Sequence, residues 1–288
     1  MEVYSQSVER DYFELIDEKK ISDLIHKKNN KFEASGVASL DGFFYVIFDN
    51  HSIIAKIPHD LNKKESQIIK VRPKVHDIEA ISIPESEGPF YLIREAKKFG
   101  KQYLSILYRV DFSGKILDSL EIPFPFREAN KGAEGLSIQK RNDKIYLFVL
   151  FEKEKESPKE KGRFGSLLIY EWKKFEIKEL AFLDLSFTGF KDFSDLSIRD
   201  DRIAIVSQES SALWVGKFDF DRLEIQSDGE FYRFPRDKNG KHLYCSIEGV
   251  SWIDEKKLVF VSDVSQKRKR HLKCKPKDAS IHIFQIKE

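Results

Sequence analysis

The segment Ala133-Glu134-Gly135-Leu136-Ser137 is one of five related segments that recur along the chain and decide its fold. In each one, an oxygen-bearing side chain precedes a small or turn-compatible residue, which precedes an aliphatic residue. The other segments are Ala34–Ala38, Ile78–Ser82, Phe193–Ser197 and Ile247–Ser251. We call the oxygen-bearing residues the anchors; they are Ser35, Glu79, Glu134, Ser194 and Glu248.

The spacing of the anchors predicts a β-propeller. Successive anchors lie 44 to 60 residues apart, and the segments between them alternate short β-branched or aromatic runs with turn residues. Propeller blades repeat at about 40–50 residues. We therefore expect an all-β, five-bladed β-propeller of four-stranded antiparallel blades, with residues 1–288 forming one domain.

The last blade lacks one strand, which an N-terminal strand can supply. We expect that strand within residues 2–16, because an open sheet edge exposes unpaired backbone groups. Hydrophobic spacing in residues 1–32 also fits a helix, so the alternative stays open.

Loop lengths distinguish the two ends of the propeller. Tight turns are predicted at Asp41-Gly42, Asn142-Asp143 and Asp200-Asp201. Long connections are predicted at the end that carries the anchors, at Arg94–Gln102, Pro125–Gly132, Glu152–Gly165, Pro235–Cys245 and Ser265–Ala279. Function is usually carried by loops on a rigid scaffold, so this end is the predicted working face.

Composition excludes some classes of partner. The net charge is +2, from 50 basic and 48 acidic residues, which implies no global attraction to nucleic acid or membrane.

The N-terminus lacks a secretory pattern, so a cytoplasmic location is expected, with a trimmed signal as the alternative. Cys245 and Cys274 are expected to be free thiols, a single bridge being the alternative.

The anchors predict a metal site at one mouth of the central channel. Three carboxylates and two hydroxyls that converge there repel one another unless protons, basic partners or a cation intervene. A flexible ring of oxygen ligands suits Ca²⁺, so Ser35, Glu79, Glu134, Ser194 and Glu248 are the predicted ligands. In the alternative, acidic and small residues only satisfy backbone donors where the strands begin.

A second acidic ring follows the second strand of each blade, at Asp49, Glu95, Glu152, Glu209 and Asp263. Asp49, Glu95 and Glu209 are the catalytic candidates. Arg94, Arg127 and Lys131 in the neighbouring loops are the candidates for binding a small phosphorylated substrate. Alternatively, these residues are solvated loop residues.

The order Ser, Glu, Glu, Ser, Glu around the ring resembles that of the calcium-activated nucleotidase (apyrase) family. The resemblance implies a five-bladed propeller that hydrolyses nucleoside di- and triphosphates with Ca²⁺ in its channel. One turn departs from the family, since Asp49-Asn50-His51 stands where the family has Asp-Asp-Arg. The inner-strand segments are also similar to the bacterial SdiA-regulated propellers and phytase-like esterase domains.

Three functional hypotheses follow. The first is a Ca²⁺-dependent hydrolase of nucleotide phosphoanhydrides or other phosphoesters. The second is a non-catalytic, Ca²⁺-stabilised binding scaffold, and the third is a propeller esterase or lactonase. The basic segment 267–277 either recruits a phosphate-rich ligand or is a solvated loop.

Overall fold

The computed structural model describes residues 9–10, 13–25, 31–84, 88–126, 132–151, 165–173, 176–263 and 279–286. They form five sheets, each built on four antiparallel strands. The innermost strand of each sheet contacts that of the next sheet, and the last contacts the first. The predicted all-β, five-bladed propeller is therefore confirmed.

The chain begins with β1 (Glu9–Arg10), β2 (Phe13–Lys20) and the short helix α1 (Ile21–Leu24). Blade one follows and contains β3 (Ala34–Leu40), β4 (Phe43–Phe48), β5 (His51–Pro58) and β6 (Gln67–Lys70). Blade two contains β7 (Ile78–Ser82), β8 (Phe90–Phe99), β9 (Gln102–Val110) and β10 (Ile116–Glu121). Short 3₁₀ turns lie at Lys63–Glu65 and Ser186–Thr188.

Blade three contains β11 (Ala133–Arg141), β12 (Lys144–Phe151), β13 (Ser166–Lys173) and β14 (Glu176–Asp184). Blade four contains β15 (Asp195–Arg199), β16 (Arg202–Ser207), β17 (Ala212–Asp219) and β18 (Glu224–Arg233), and β1 adds a parallel fifth strand at its outer edge. Blade five contains β19 (Ile247–Trp252), β20 (Lys257–Ser262), β21 (Ser280–Ile286) and then β2.

Burial decreases from the channel to the rim of each blade, as the sequence pattern requires. The second strand of blade one, Phe43–Phe48, is almost wholly buried because neighbouring blades cover both its faces. The outer strand Ile116–Glu121 instead alternates half-buried and exposed side chains. This is the pattern expected of a strand with one face on the core and one in water.

The N-terminal strand closes the ring, as predicted, but lies at Phe13–Lys20 rather than wholly within residues 2–16. Phe13 stacks on Phe284 with 4.4 Å between ring centroids. Glu18 Oε2 accepts a hydrogen bond from the Tyr244 hydroxyl at 3.1 Å and lies 3.1 Å from Nδ1 of the fully buried His282. Burial, and then the Glu18 carboxylate, raises the pKa of Tyr244, which keeps its hydroxyl a donor.

The structure corrects one predicted loop on the working face. Arg94–Gln102 is not a long connection, because β8 continues to Phe99 and turns directly into β9 at Gly100, where φ is +61°. A register shift between Arg94 and Lys97 bends the strand. Within the Pro235–Cys245 connection, Arg236 and His242 form an isolated antiparallel β-bridge.

The three tight turns predicted at the opposite end of the propeller are confirmed.

The expectation of free thiols is wrong for Cys245, which is disulfide-bonded. The described residues contain no free cysteine. The only other cysteine of the sequence is Cys274, which lies outside the described residues. In the described part of the chain, no helix is long and apolar enough to span a bilayer.

Replacing Glu18 with Ala is expected to destabilise the ring closure by about 1–3 kcal/mol, because it removes the acceptor shared by Tyr244 and His282. Urea unfolding of the purified variant measures the loss. Lys20→Ala, on the same strand but exposed, is the matched control and is expected to unfold like the wild type. Equal stability of the two variants would contradict the proposed role of Glu18.

The disulfide predicts that the unreduced, denatured protein has no titratable thiol and that reduction releases two per chain. We expect reduction to lower the free energy of unfolding by about 2–4 kcal/mol, since the bridge restricts the unfolded chain. Cys245→Ser is the control, because reductant has no bridge to break in it. A free thiol before reduction would exclude the bridge.

Candidate functional site at the channel mouth

Four of the five anchors lie at β-bulges at the start of the inner strands. The pairing register shifts across Ser35, Glu79, Glu134 and Glu248 in blades one, two, three and five. A bulge leaves one residue out of the ladder and redirects its side chain. The repeated sequence motif therefore corresponds to a repeated β-bulge, which turns the anchor side chain out of the sheet.

Glu79 lies among other carboxylates. Although part of the residue is exposed, its carboxyl is densely surrounded by protein, and this burial is the main cause that raises its pKa well above the ordinary value of 4.5. The charges of Asp49, Glu95, Glu248 and Asp77, in that order, raise its pKa further. We call these five residues the acidic mouth.

Backbone hydrogen bonds hold the acidic mouth together across blades one and two. The amide of Asp77 donates to the carbonyl of Asp49 at 3.2 Å, and the amide of Glu95 donates to that of Asp77 at 3.0 Å. Asp49 directly follows β4, and its own amide donates to the carbonyl of Glu33 at 2.9 Å. The acidic side chains are therefore brought together by ordinary strand-end pairing.

Asp49 responds to its surroundings as Glu79 does. Burial raises the pKa of Asp49, and the carboxylates of Asp77 and Glu33 raise it further. The nearby His76 opposes this shift. Asp49 is thus a carboxyl that holds its proton to higher pH than an ordinary aspartate.

Arg94 is the one predicted cationic ligand within the described residues. Its Nη2 donates to Asp77 Oδ2 at 2.6 Å. Its Nε is buried and has no hydrogen-bond partner within the described part of the chain. A buried guanidinium donor without an acceptor is costly, so this side chain is suited to an anionic partner.

The two serine anchors are occupied by protein groups. The Ser35 hydroxyl donates to the carbonyl of Ile78 at 2.5 Å, which links blades one and two. The Ser194 hydroxyl accepts from the amide of Gln208 at 3.1 Å. Both serines therefore form hydrogen bonds with backbone groups, as expected if the anchors only satisfy the backbone where the strands begin.

The other predicted residues are either engaged in local hydrogen bonds or lie outside the described residues. Glu209 is exposed, and its amide donates to the Asp192 carboxylate at 3.1 Å. The amide of Asp263 donates to the carbonyl of Ser246 at 2.8 Å. Arg127, Lys131, Glu152 and the basic segment 267–277 lie outside the described residues.

Asp195 is an acidic residue that the sequence reasoning took only as turn-compatible. It is 2% exposed, and its carboxylate accepts from the amides of Leu196 at 2.8 Å and Val250 at 2.9 Å. Burial raises the pKa of Asp195, whereas hydrogen bonds from backbone amides, including that of Leu136, lower it. The available signal was its position, which in the other segments holds only Gly36, Ala80, Gly135 and Gly249.

The carboxylates of the mouth are not arranged as a ready metal centre. Across the described ranges, no group of three or more His, Cys, Asp or Glu side chains converges to hold a metal ion. These carboxylates carry charges of the same sign, and they place several oxygen ligands near Glu79. The arrangement can bind a proton or a cation, and Arg94 beside it can bind an anion.

Comparison with known proteins shows the fold. No family model matches the chain, and no curated protein matches it. Solved structures to which it is similar include glutaminyl cyclase from Myxococcus xanthus, with 8% identity, a TM-score of 0.50, and coverage of 96% of this chain and 97% of that one.

Two further similar structures are enzymes of bacterial origin. PQQ-bound aldose sugar dehydrogenase from Streptomyces coelicolor has 11% identity and a TM-score of 0.48, covering 97% of this chain and 100% of that one. Virginiamycin B lyase from Staphylococcus aureus has 10% identity and a TM-score of 0.46, covering 96% and 100%. At such identities the likeness concerns the fold alone.

Glu79→Gln is expected to be more stable than the wild type at pH 7 in buffer treated with chelator. Because the pKa of Glu79 is higher in the folded protein than in the unfolded chain, protonated Glu79 stabilises the fold. This stabilisation is complete below pH 4.5 and is lost as the pH rises through the pKa of the folded protein. The advantage of the variant is therefore expected to vanish in acid.

Chemical unfolding across this pH range measures the difference. Glu255→Gln, an exposed glutamate in the turn between β19 and β20, is the control and is expected to follow the wild type at every pH. A stability gap for Glu79→Gln that does not change with pH would contradict the crowding of carboxylates.

Proposed function

We propose that the acidic mouth binds Ca²⁺ and that the protein hydrolyses a phosphoanhydride or phosphoester, such as that of a nucleotide, at this end of the channel. The observation that carries the proposal is the position of Glu79. Its carboxyl is surrounded by Asp49, Glu95, Glu248 and Asp77, and buried charges of one sign require protons or a cation.

The donor set suits a hard cation in its chemistry. Carboxylate oxygens are the ligands that Ca²⁺ takes, and its flexible coordination tolerates side chains that turn inward on binding. Because the described carboxylates do not converge on a common centre, binding would require the carboxylates of the acidic mouth to turn toward the cation. A bound cation would supply charge neutralisation and polarisation of a phosphoryl group.

Arg94 supports the choice of a phosphorylated substrate. Its Nη2 is held by Asp77, while its buried Nε lacks an acceptor within the described residues. A phosphate oxygen is a strong acceptor for such a donor. Arg94 would thus orient the substrate at the edge of the acidic mouth and offset part of its charge.

Asp49 and Glu95 would act as the proton-transfer groups of this reaction. Both lie close enough to Glu79 to raise its pKa, and Asp49 has a raised pKa of its own. A carboxyl whose pKa lies nearer to neutrality takes a proton from water more effectively. Glu209, the third predicted base, is not among the residues whose charges raise the pKa of Glu79 and is given no role in this scheme.

The second candidate function is a non-catalytic, Ca²⁺-stabilised scaffold, which the turn Asp49-Asn50-His51 favours. Asn50 Oδ1 lies 2.5 Å from His51 Nδ1, and Asn50 Nδ2 donates to the carbonyl of Lys31 at 2.9 Å. These side chains hold the turn together. No arginine extends from it to bind phosphate.

The disulfide bears on where the protein would act. Structural disulfides persist mainly in oxidising compartments and are rare in the cytosol. Cys245 is disulfide-bonded, so we favour an oxidising compartment over the expected cytoplasm. The thiol titration described above tests the bridge on which this location depends.

The hydrolase proposal predicts Ca²⁺-dependent release of phosphate from ATP, ADP or GDP. Arg94→Lys is expected to slow the release by about tenfold to a hundredfold, because Lys cannot reproduce the guanidinium hydrogen bonds. Glu79→Gln and Glu134→Ala are expected to abolish its dependence on Ca²⁺. Glu255→Gln is the control and is expected to behave like the wild type.

Two measurements separate the candidates. Release no higher than that of Glu134→Ala would exclude the hydrolase, and a rise in melting temperature with Ca²⁺ in the same protein would then support the scaffold. Metal analysis tests their shared premise. Both candidates fail if the protein carries no divalent ion at near-stoichiometric occupancy and chelator leaves its melting temperature unchanged.

A further inference from the structure

The central channel contains a cavity of about 220 Å³ at the end opposite the acidic mouth. It is lined by the inner strands of all five blades. Four blades contribute a serine at the same position, three residues after the anchor: Ser82, Ser137, Ser197 and Ser251. Ala38 occupies this position in blade one. We call this space the serine cavity.

The serine oxygens are used as acceptors between neighbouring blades. Ser82 Oγ accepts from the amide of Ile138 at 2.9 Å, Ser197 Oγ from that of Trp252 at 3.2 Å, and Ser251 Oγ from that of Ser39 at 3.1 Å. The Ser137 oxygen accepts instead from Gln139 Nε2, also at 3.2 Å.

The hydroxyl protons of the serine cavity have no protein acceptor within the described part of the chain. Ser82, Ser137 and Ser251 are at most 9% exposed, so bulk water does not readily satisfy them. Each hydroxyl that accepts a hydrogen bond still has one proton to donate. A buried donor without an acceptor is costly, so these hydroxyls require acceptors inside the cavity.

The charges around the serine cavity favour an uncharged ligand. Among the described residues, the charged members of its lining are Arg199 and Asp200. The Asp200 side chain is 83% exposed, and Arg199 donates to the carbonyl of Ile253 at 3.1 Å. The described wall therefore offers polar groups but no buried carboxylate for a cation, and its one guanidinium is engaged by the Ile253 carbonyl and lies 3.9 Å from the Asp200 carboxylate.

Further groups suit a polyhydroxy compound. Gln139 Nε2 is shared between Ser137 Oγ and the carbonyl of Ile198 at 3.0 Å, which leaves its amide oxygen as an acceptor. Trp252 adds an apolar wall, held by Arg202 over its ring at 4.4 Å. The volume of about 220 Å³ corresponds to about seven waters at about 30 Å³ each.

We infer that the serine cavity is a binding site for a small uncharged polyhydroxy compound, of the size of a hexose or a cyclic polyol. The ligand hydroxyls would accept from the serines and donate to Gln139. The site lies at the other end of the channel from the acidic mouth, so the inference does not depend on the proposed hydrolase activity.

Calorimetric titration of the intact protein with glucose, mannose, galactose and myo-inositol tests the inference. We expect saturable binding of at least one compound, with the same affinity in Ca²⁺ and in chelator. Inorganic phosphate and CaCl₂ are the charged comparisons. Binding of phosphate in place of every polyol would overturn the uncharged class, and saturation by none of the polyols would leave water as the only occupant and overturn the site.

Two opposite variants locate the binding. Ser137→Ala removes a hydroxyl that accepts only from a side chain and is expected to weaken binding about fivefold, the value of one hydrogen bond. Ala38→Ser completes the ring and is expected to tighten binding by a similar factor. Ser186→Ala, on the exposed outer rim, is the control. Unchanged affinity in both cavity variants would overturn the assignment, and their melting curves report whether each is folded.

Discussion

The structure depends on how closely the five inner strands approach one another around the channel. A Cβ atom added at Gly249 would lie 2.8 Å from the Cα of Gly36, and one at Gly36 would lie 3.2 Å from the Cα of Ala80. Contacts this short leave no room for a side chain at Gly36 or Gly249. The small residue of the repeated motif is therefore a packing requirement in these blades.

The same constraint explains the two chemistries of the channel. Because the inner strands begin with a bulge, the anchors at one end turn out of the sheet into a crowded mouth. Past the bulge, regular pairing resumes and places Ser82 and Ser137 in the wall of the serine cavity. One end of the channel thus gathers carboxylates, and the other gathers hydroxyls.

Blade four shows that the ring of inner strands can accept a larger side chain at the position after the anchor. Its inner strand begins at Asp195 without a register shift, and the Asp195 carboxylate accepts from backbone amides of blades four and five. A buried carboxyl at this position is stable because backbone donors surround it. The position that four blades keep small is thus used in the fifth for a polar link between inner strands.

The sequence by itself determined the blade count, the inner-strand motif and the closure by an N-terminal strand, because hydrophobic alternation and turn residues act over a few neighbouring positions. It did not reveal that Arg94 lies within a continuing strand, that Cys245 is disulfide-bonded, or that Asp195 is buried. Only the tertiary structure decided which acidic residues meet at the channel mouth, because their proximity depends on contacts between blades, whose residues lie far apart in the chain.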